Sequence, residues 1–333
     1  MNFVKKHPNN PIITAGNQSF RKAAVFNPGV IYEHNKYYLY ERSAESIAPF
    51  TCHISLLESD NGIDFKLVGD KPIITPESLG YKDGTVEDPR IVKIDDDYLL
   101  TFAYRPYTYN CYPTGLGVPN YEPLVGILDE GVNNTLSAVA KSKDMINFEI
   151  VSILGGEVDE RDCILFPEKI NGKYAMLRRP KHKHFAYKDV SEPSIWISYS
   201  DDLKTWSEPT LLARPEFAWE CGKIGGGTTP LKTDKGWIII YHAVNEKSEY
   251  RVGAMLTDLE DPTKVLARGH VPLFEPEEIY EKEGLVIPNV VFPTGNVIID
   301  NEIKIYYGVC DTSIALATIS VDDLFKYFEY EEA

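Results

Sequence analysis

One pattern returns five times along this chain: an apolar residue, a proline, a short alternating run, a turn of Asn, Asp or Gly, and a second run rich in Tyr, Ile and Leu. It reads FNPGVIYEHNKYYLYER, EDPRIVKIDDDYLLTFAYR, LFPEKINGKYAMLRR, TTPLKTDKGWIIIYH and VFPTGNVIIDNEIKIYYG. The leading prolines are Pro28, Pro89, Pro167, Pro230 and Pro293. They stand about 60 to 80 residues apart, and self-similarity at a regular spacing signals a repeat architecture. Each unit has the chemistry of an antiparallel hairpin, because proline is tolerated at a strand's first residue and the HNK, DDD, NGK, DKG and DNE triplets supply the turns. A second signature follows several hairpins. SDNGIDF (59–65), SKDMINF (142–148) and SDDLKTW (200–206) share a Ser, polar turn residues and a closing aromatic, with DLEDPTKV (258–265) and SVDDLFKYF (320–328) as degenerate copies.

Each unit therefore has length for about four strands, and five such units predict an all-β fold: a five-bladed β-propeller whose four-stranded antiparallel blades surround a channel. The predicted blade hairpins lie near 25–42, 86–105, 165–179, 228–242 and 291–311, and residues 1–333 then form one domain. Length alone would suggest two domains, and a pair of β-sandwiches is the competing architecture. Segment 104–140 stretches the second interval. Its Tyr, Pro and Gly content reads as a long loop over one face, where function often resides.

Composition narrows the functional classes. The formal net charge of −16 excludes nonspecific binding to nucleic acid or anionic membrane, since both need a positive surface. No run approaches the roughly 18 apolar residues of a membrane span, and MNFVKKHPNNPII lacks the apolar core of a secretory signal, so a cytoplasmic location is expected. The 5 cysteines contain no CxxC pair and are read as reduced thiols. His182 and His184 in RRPKHKHF have no acidic partner nearby and are read as a basic loop; no metal is expected. The 21 Tyr, 14 Phe and 4 Trp suit sugar binding and sheet packing equally.

In a propeller the innermost strand of each blade lines the channel, so matching points of the repeat converge in space. Asn27, Asp88, Phe166, Thr229 and Phe292 precede the leading prolines, and Arg42, Arg105, Arg179, His242 and Asp311 stand at the ends of the second strands. Charged groups at equivalent buried positions are costly unless they bind something. Arg161 and Asp162 before the third unit and Lys223 before the fourth add to them. The glycine run after Lys223 lets backbone approach a ligand closely. Arg161, Arg179, Lys223 and His242 together can grip a phosphate-like anion. Asp88 at the channel rim, facing that cluster, has the position of a general acid. Strand alternation turns Glu87 to the opposite face, and Arg90 is read as pointing with it.

VEDPRIV, RDCILFPEKINGKYAMLRRP, KIGGGTTPLKTDKGWIIIYH, LTDLEDPTKVL, PNVVFPTG and YYGVCDT together resemble glycoside hydrolase family 130, the inverting β-mannoside phosphorylases and related β-mannosidases. The resemblance runs from about residue 25 to 318. It implies a five-bladed propeller, with Asp88 as the proton donor acting through the mannose 3-hydroxyl. Arg161, Arg179, Lys223 and His242 become the phosphate site, Asn27 and Asp311 hold the mannosyl unit, and Tyr241 is a further contact. Arg42, Arg105 and Asp162 complete the expected sugar-binding surroundings. Two departures stand out. Asp162 occupies a position where many members have Asn, and Pro28 one where many have Ser or Ala. An acid beside an anion site would weaken it unless it faces away or pairs with a base.

The expected reaction is attack of inorganic phosphate on a β-mannoside, with no other cofactor and with a mannose-containing oligosaccharide as partner. The β-1,2 linkage is slightly favoured over β-1,4 through the long loop. Two alternatives stay open: an inverting β-mannosidase with Asp162, Glu168 or Glu220 as base, and a noncatalytic carbohydrate-binding propeller. A Tyr- and Pro-rich loop could also cross to a second copy, which makes a homo-oligomer an allowed arrangement.

Overall fold

Turn chemistry sets the strand pattern of the computed structural model, which describes residues 3–82, 84–112, 120–123, 134–156, 158–181 and 187–330. His34 and Asn35, Asn171 and Gly172, and Asp300 and Asn301 all take positive φ, the conformation that tight hairpin turns demand. They join Ala24–Glu33 to Lys36–Ala44, Asp159–Leu165 to Tyr174–Lys181, and Val291–Ile299 to Glu302–Val309. Asp95, also at positive φ, joins Thr85–Ile94 to Asp97–Arg105, whereas Lys223–Gly226 pairs with Trp237–Val244 across the longer connection 227–236.

The second signature folds identically in three blades. Ser59, Ser142 and Ser200 Oγ accept from the main-chain N–H groups of Asn61 and Gly62, of Asp144, and of Asp202 and Leu203. Two residues on, Asn61, Asp144 and Asp202 Oδ1 each accept two further N–H groups. The side chains thus replace backbone partners and reverse the chain between third and fourth strands. Residues 320–328 depart from that expectation. Ser320 instead caps the helix Val321–Glu329 by accepting from the Asp323 N–H. Among the described residues no fourth strand follows it, and the outer strand of the fifth blade is Lys5–Lys6, paired on Ser313–Ser320.

Among the described residues five antiparallel sheets form the blades of a five-bladed β-propeller, with the inner strand of the fourth blade broken into Lys223–Gly226 and Leu231–Lys232. Besides the capped helix, a single turn of α-helix, Ile279–Lys282, and short 3-10 turns at Ser19–Arg21, Pro76–Leu79 and Ala218–Glu220 are found among the described residues. Apolar clusters fill the gap between every pair of neighbouring blades: Ile54 with Ile91, Leu99 with Met176, Ile197 with Ile239, Ile240 with Ile305, and Tyr306 with Leu39. A blade packed on both faces needs strands apolar on both faces, which is why WIIIYHAV is buried throughout.

The third and fourth hairpins begin at Asp159 and Lys223, earlier than the proline alignment placed them. Phe166 is consequently a core residue packed edge-on against Trp237, not a rim residue. Of segment 104–140, the backbone of Tyr109–Tyr112 pairs with Asn120–Pro123. Residues 113–119 and 124–133, like His182 and His184, lie outside the described residues.

Candidate active site

The local feature that builds the site is a bulge in the inner strands. Pairing slips by one residue between Phe26 and Gly29, Glu87 and Arg90, Arg161 and Ile164, and Pro293 and Gly295. In the first three blades the bulged residue is Asn27, Asp88 or Asp162, with φ of 46°, 53° and 50°. Short polar side chains tolerate this left-handed conformation best. The bulges also pack against one another. A Cβ at Gly29 would lie 2.7 Å from Pro89 O, and one at Gly295 would lie 2.7 Å from Pro28 O.

Two sequence expectations fail: the bulge breaks the alternation assumed for Glu87, and Arg90, two residues after Asp88, belongs by alternation on the side of that acid and not with Glu87. Glu87 joins the cavity wall instead of turning away. Arg90 turns toward the axis, beside Asp162. The structural equivalent of Asp88 in the third blade is Asp162 rather than Phe166, and Thr229 is absent from the wall.

The cavity measures about 790 Å³ and has two chemically distinct sides. On one side Asp88 Oδ1 accepts from Asn27 Nδ2 at 2.8 Å and from Arg42 Nη1 at 3.0 Å. Arg42 lies over the Phe26 ring and also meets Glu87 at 3.4 Å, while Arg105 reaches Glu87 at 3.5 Å. Burial raises the Glu87 carboxyl, but Arg105 and Arg42 outweigh it and hold the group down at about 2. Asp311 sits in the tight turn between Glu302–Val309 and Ser313–Ser320. Burial, reinforced by Asp88 and Glu87 against the pull of Arg42, pushes its carboxyl up to about 6.

The other side carries Arg161, Arg179 and Lys223 together with Lys181, faced by the carboxylates of Asp159 and Asp162. Arg161 Nε donates to Asp159 at 2.8 Å, and Arg179 Nε donates to Asp162 Oδ2. Each arginine therefore spends its Nε on a carboxylate, which leaves the paired Nη groups to meet an anion. Lys223 Nζ donates to Tyr250 Oη at 2.8 Å. His242 places Nδ1 3.2 Å from Gly226 O and Nε2 3.7 Å from Asp162 Oδ2. Burial lowers its pKa to about 3, Asp162 opposing and Arg179, Lys223 and Arg90 adding, so the ring is neutral. The acid at position 162 is thus a buried counter-ion. Its carboxyl lies well below the usual range because the guanidinium groups of Arg179 and Arg90 outweigh burial. The glycine run serves this pairing, since a Cβ at Gly225 would fall 2.3 Å from Asp162 Oδ2.

Tyr241 does not reach the cavity. It points into the gap toward the third blade, and its hydroxyl donates to Glu220 at 2.9 Å and accepts from Arg268 at 3.2 Å. Glu220 is completely buried against Arg268, and Glu168 is paired with Lys232 at the surface, so neither candidate base touches the cavity. Phe292, one of the matching points before the prolines, does line the wall, whereas sequence reasoning missed Asp159, Lys181 and Tyr250. Two of them were findable: Asp159 stands two before Arg161 and Lys181 two after Arg179, on the same strand face. Among the described residues no group of His, Cys, Asp or Glu could hold a metal.

A mannoside-phosphorylase family, glycoside hydrolase family 130, described as β-1,4-mannooligosaccharide phosphorylase, matches residues 4–330. The chain belongs to glycoside hydrolase family 130. The 1,2-β-oligomannan phosphorylase of Thermoanaerobacter sp. (strain X514) is 36% identical over 329 residues, 96% of this chain and 98% of that protein. The β-1,4-mannooligosaccharide phosphorylase of Ruminococcus albus is 39% identical, over 50% of each chain. Among solved structures of family 130, the β-1,2-mannobiose complex of the Listeria innocua β-1,2-mannobiose phosphorylase superposes with a TM-score of 0.76. It is 26% identical, and the match covers 99% of this chain and 100% of that one.

Proposed function

We propose that this family 130 protein is an inverting β-mannoside phosphorylase. Inorganic phosphate attacks the anomeric carbon of a terminal β-mannosyl unit, a phosphate oxygen to carbon bond forms as the glycosidic bond breaks, and the products are α-mannose 1-phosphate and a sugar one mannose shorter. Asp88 supplies the proton, relayed through the mannose 3-hydroxyl to the departing oxygen, and recovers it from solvent. Asn27 and Arg42 aim the Asp88 carboxyl, and Asp311 binds hydroxyls of the mannosyl unit. Arg161, Arg179, Lys223 and neutral His242 hold phosphate on the far side, with Lys181 beside them.

The observation that carries this reading is the division of the cavity: a carboxyl fixed by Asn27 and Arg42 on one side, and four cations set against two carboxylates on the other. A hydrolase would need a carboxylate aimed at water on that far side. Asp159 and Asp162 are both engaged by arginines there. Phosphate dianion needs holding, not activating. The 36% identical relative named for 1,2-linked oligomannan supports a β-1,2 linkage over β-1,4.

The test is release of mannose 1-phosphate from β-1,2- and β-1,4-mannobiose with and without phosphate. Phosphate-dependent turnover, faster on the β-1,2 substrate, is expected; free mannose formed at equal rate without phosphate would make the protein a hydrolase. Asp88→Asn is expected to lower kcat about 10³-fold, in the range for a lost general acid, while calorimetric binding of mannobiose persists. A carbohydrate-binding propeller would show binding and no turnover in either form.

A further inference from the structure

Arg90 is buried to 3% exposure near the propeller axis and is absent from the cavity wall. Its guanidinium touches groups from four blades. Within its own blade, Nη1 donates to Asp88 O at 2.7 Å. Nε donates to Gly227 O of the fourth blade at 3.0 Å. Nη2 stands 3.9 Å from Asp162 Oδ1 of the third blade and makes no hydrogen bond among the described residues. The guanidinium Cζ lies over the Phe292 ring of the fifth, 5.8 Å from the centroid. A buried guanidinium with one nitrogen left unbonded is expensive to keep for stability alone. What it does hold is specific: the peptide oxygen of the left-handed acid, and the free oxygen of the carboxylate that orients Arg179 and faces His242.

We infer that Arg90 is a positioning residue that fixes the Asp88 peptide and braces Asp162, so that the acid and the phosphate site are held in one frame. Rotation of the Asp88 peptide would swing its carboxyl away from the scissile bond, and a shift of Asp162 would carry the Nη groups of Arg179 with it. The planar fork is essential to this role. It donates to two carbonyls in fixed directions and keeps its third nitrogen at ion-pair distance from a carboxylate, which a single ammonium cannot do.

The inference rests on the proposed phosphorylase reaction, and the test separates the two. Arg90→Met and Arg90→Lys are purified as folded protein and compared with wild type in β-1,2-mannobiose phosphorolysis and in calorimetric binding of inorganic phosphate. Arg90→Met is expected to lower kcat about 100-fold per folded molecule, the scale of a 1 Å misplacement, with the KM for mannobiose within about 3-fold. Its phosphate affinity should fall roughly 10-fold, as for a lost charge-assisted contact. Arg90→Lys should regain part of the phosphate affinity and little of kcat. A merely structural arginine would lower the Tm and leave both quantities within about 2-fold of wild type in the folded protein, which overturns the inference. If the Met variant does not fold, the Lys variant decides by the same two readings. If wild type binds phosphate without phosphate-dependent turnover, the assigned reaction falls, and phosphate affinity in the Lys variant alone decides the role of Arg90.

Discussion

Three carboxylates gather around Arg42 and meet different fates. Glu87 lies between Arg42 and Arg105 and stays ionised, Asp88 shares Arg42 with an amide, and Asp311, half-buried with two acids nearby, is pushed up to about 6. For Asp311 the sign of the pH effect follows directly. A carboxyl whose folded pKa exceeds its unfolded value holds its proton more tightly when folded. Its burial is therefore least costly below the unfolded pKa of about 4, and stability is lost as pH rises from there through the folded value. Asp311→Asn is uncharged throughout that window. The Tm of this variant relative to wild type is thus expected to be more favourable at about pH 7.5 than at about pH 5. Thermal melts of both proteins at the two pH values check this, and an equal difference at both would show that Asp311 ionises normally.

The bulge is the element that converts a repeat into a site. It places Asn27, Asp88 and Asp162 in the left-handed region and brings adjacent inner strands into backbone contact. At Gly29 a side chain would meet the carbonyl of Pro89, which no rotamer change can relieve. Gly29→Ala is expected to cost about 2 kcal/mol of stability, as overpacking does, and to lower kcat by displacing the Asp88 bulge. A chemical melt together with kcat per folded molecule checks both; unchanged values would mean that the strands can part freely. The same element explains which residues could be read in advance. Asn27 and Asp88 precede prolines and were visible as a pair. Asp162 precedes Cys163, so its equivalence to them was hidden although its neighbour Arg161 was not. Glu87 was misread because alternation assumes an unbroken ladder, Arg90 because it was grouped with Glu87 although it stands two residues from Asp88, and Tyr241 because its strand is apolar on both faces.

At the scale of the molecule, the ring closes through a strand from the N-terminal end. Lys5 and Lys6 pair with Thr318 and Ala317, and Lys6 Nζ meets Glu281, a fully buried carboxylate, at 2.7 Å. Lys6→Ala leaves that charge without its cation. A loss of about 3 kcal/mol is expected, as for one half of a buried pair, measurable by urea denaturation with kcat unchanged in the folded protein. A loss near zero would mean that Tyr307 and the nearby N–H groups satisfy Glu281 alone. Closure itself was not legible, since two lysines carry no strand signature and only the unpaired edge of Ser313–Ser320 gives them a partner. What the sequence determined by itself is the number of blades, the turn chemistry and the residue types of the site, because these depend on local rules repeated five times: proline at a strand start, Asn, Asp and Gly where φ is positive, Ser and Asp in place of backbone partners. Only the tertiary structure decided which side chains face the cavity, which acid pairs with which cation, and how the ring is sealed. Those outcomes turn on one-residue slips in strand pairing and on contacts between segments far apart in the chain, and no local pattern encodes either.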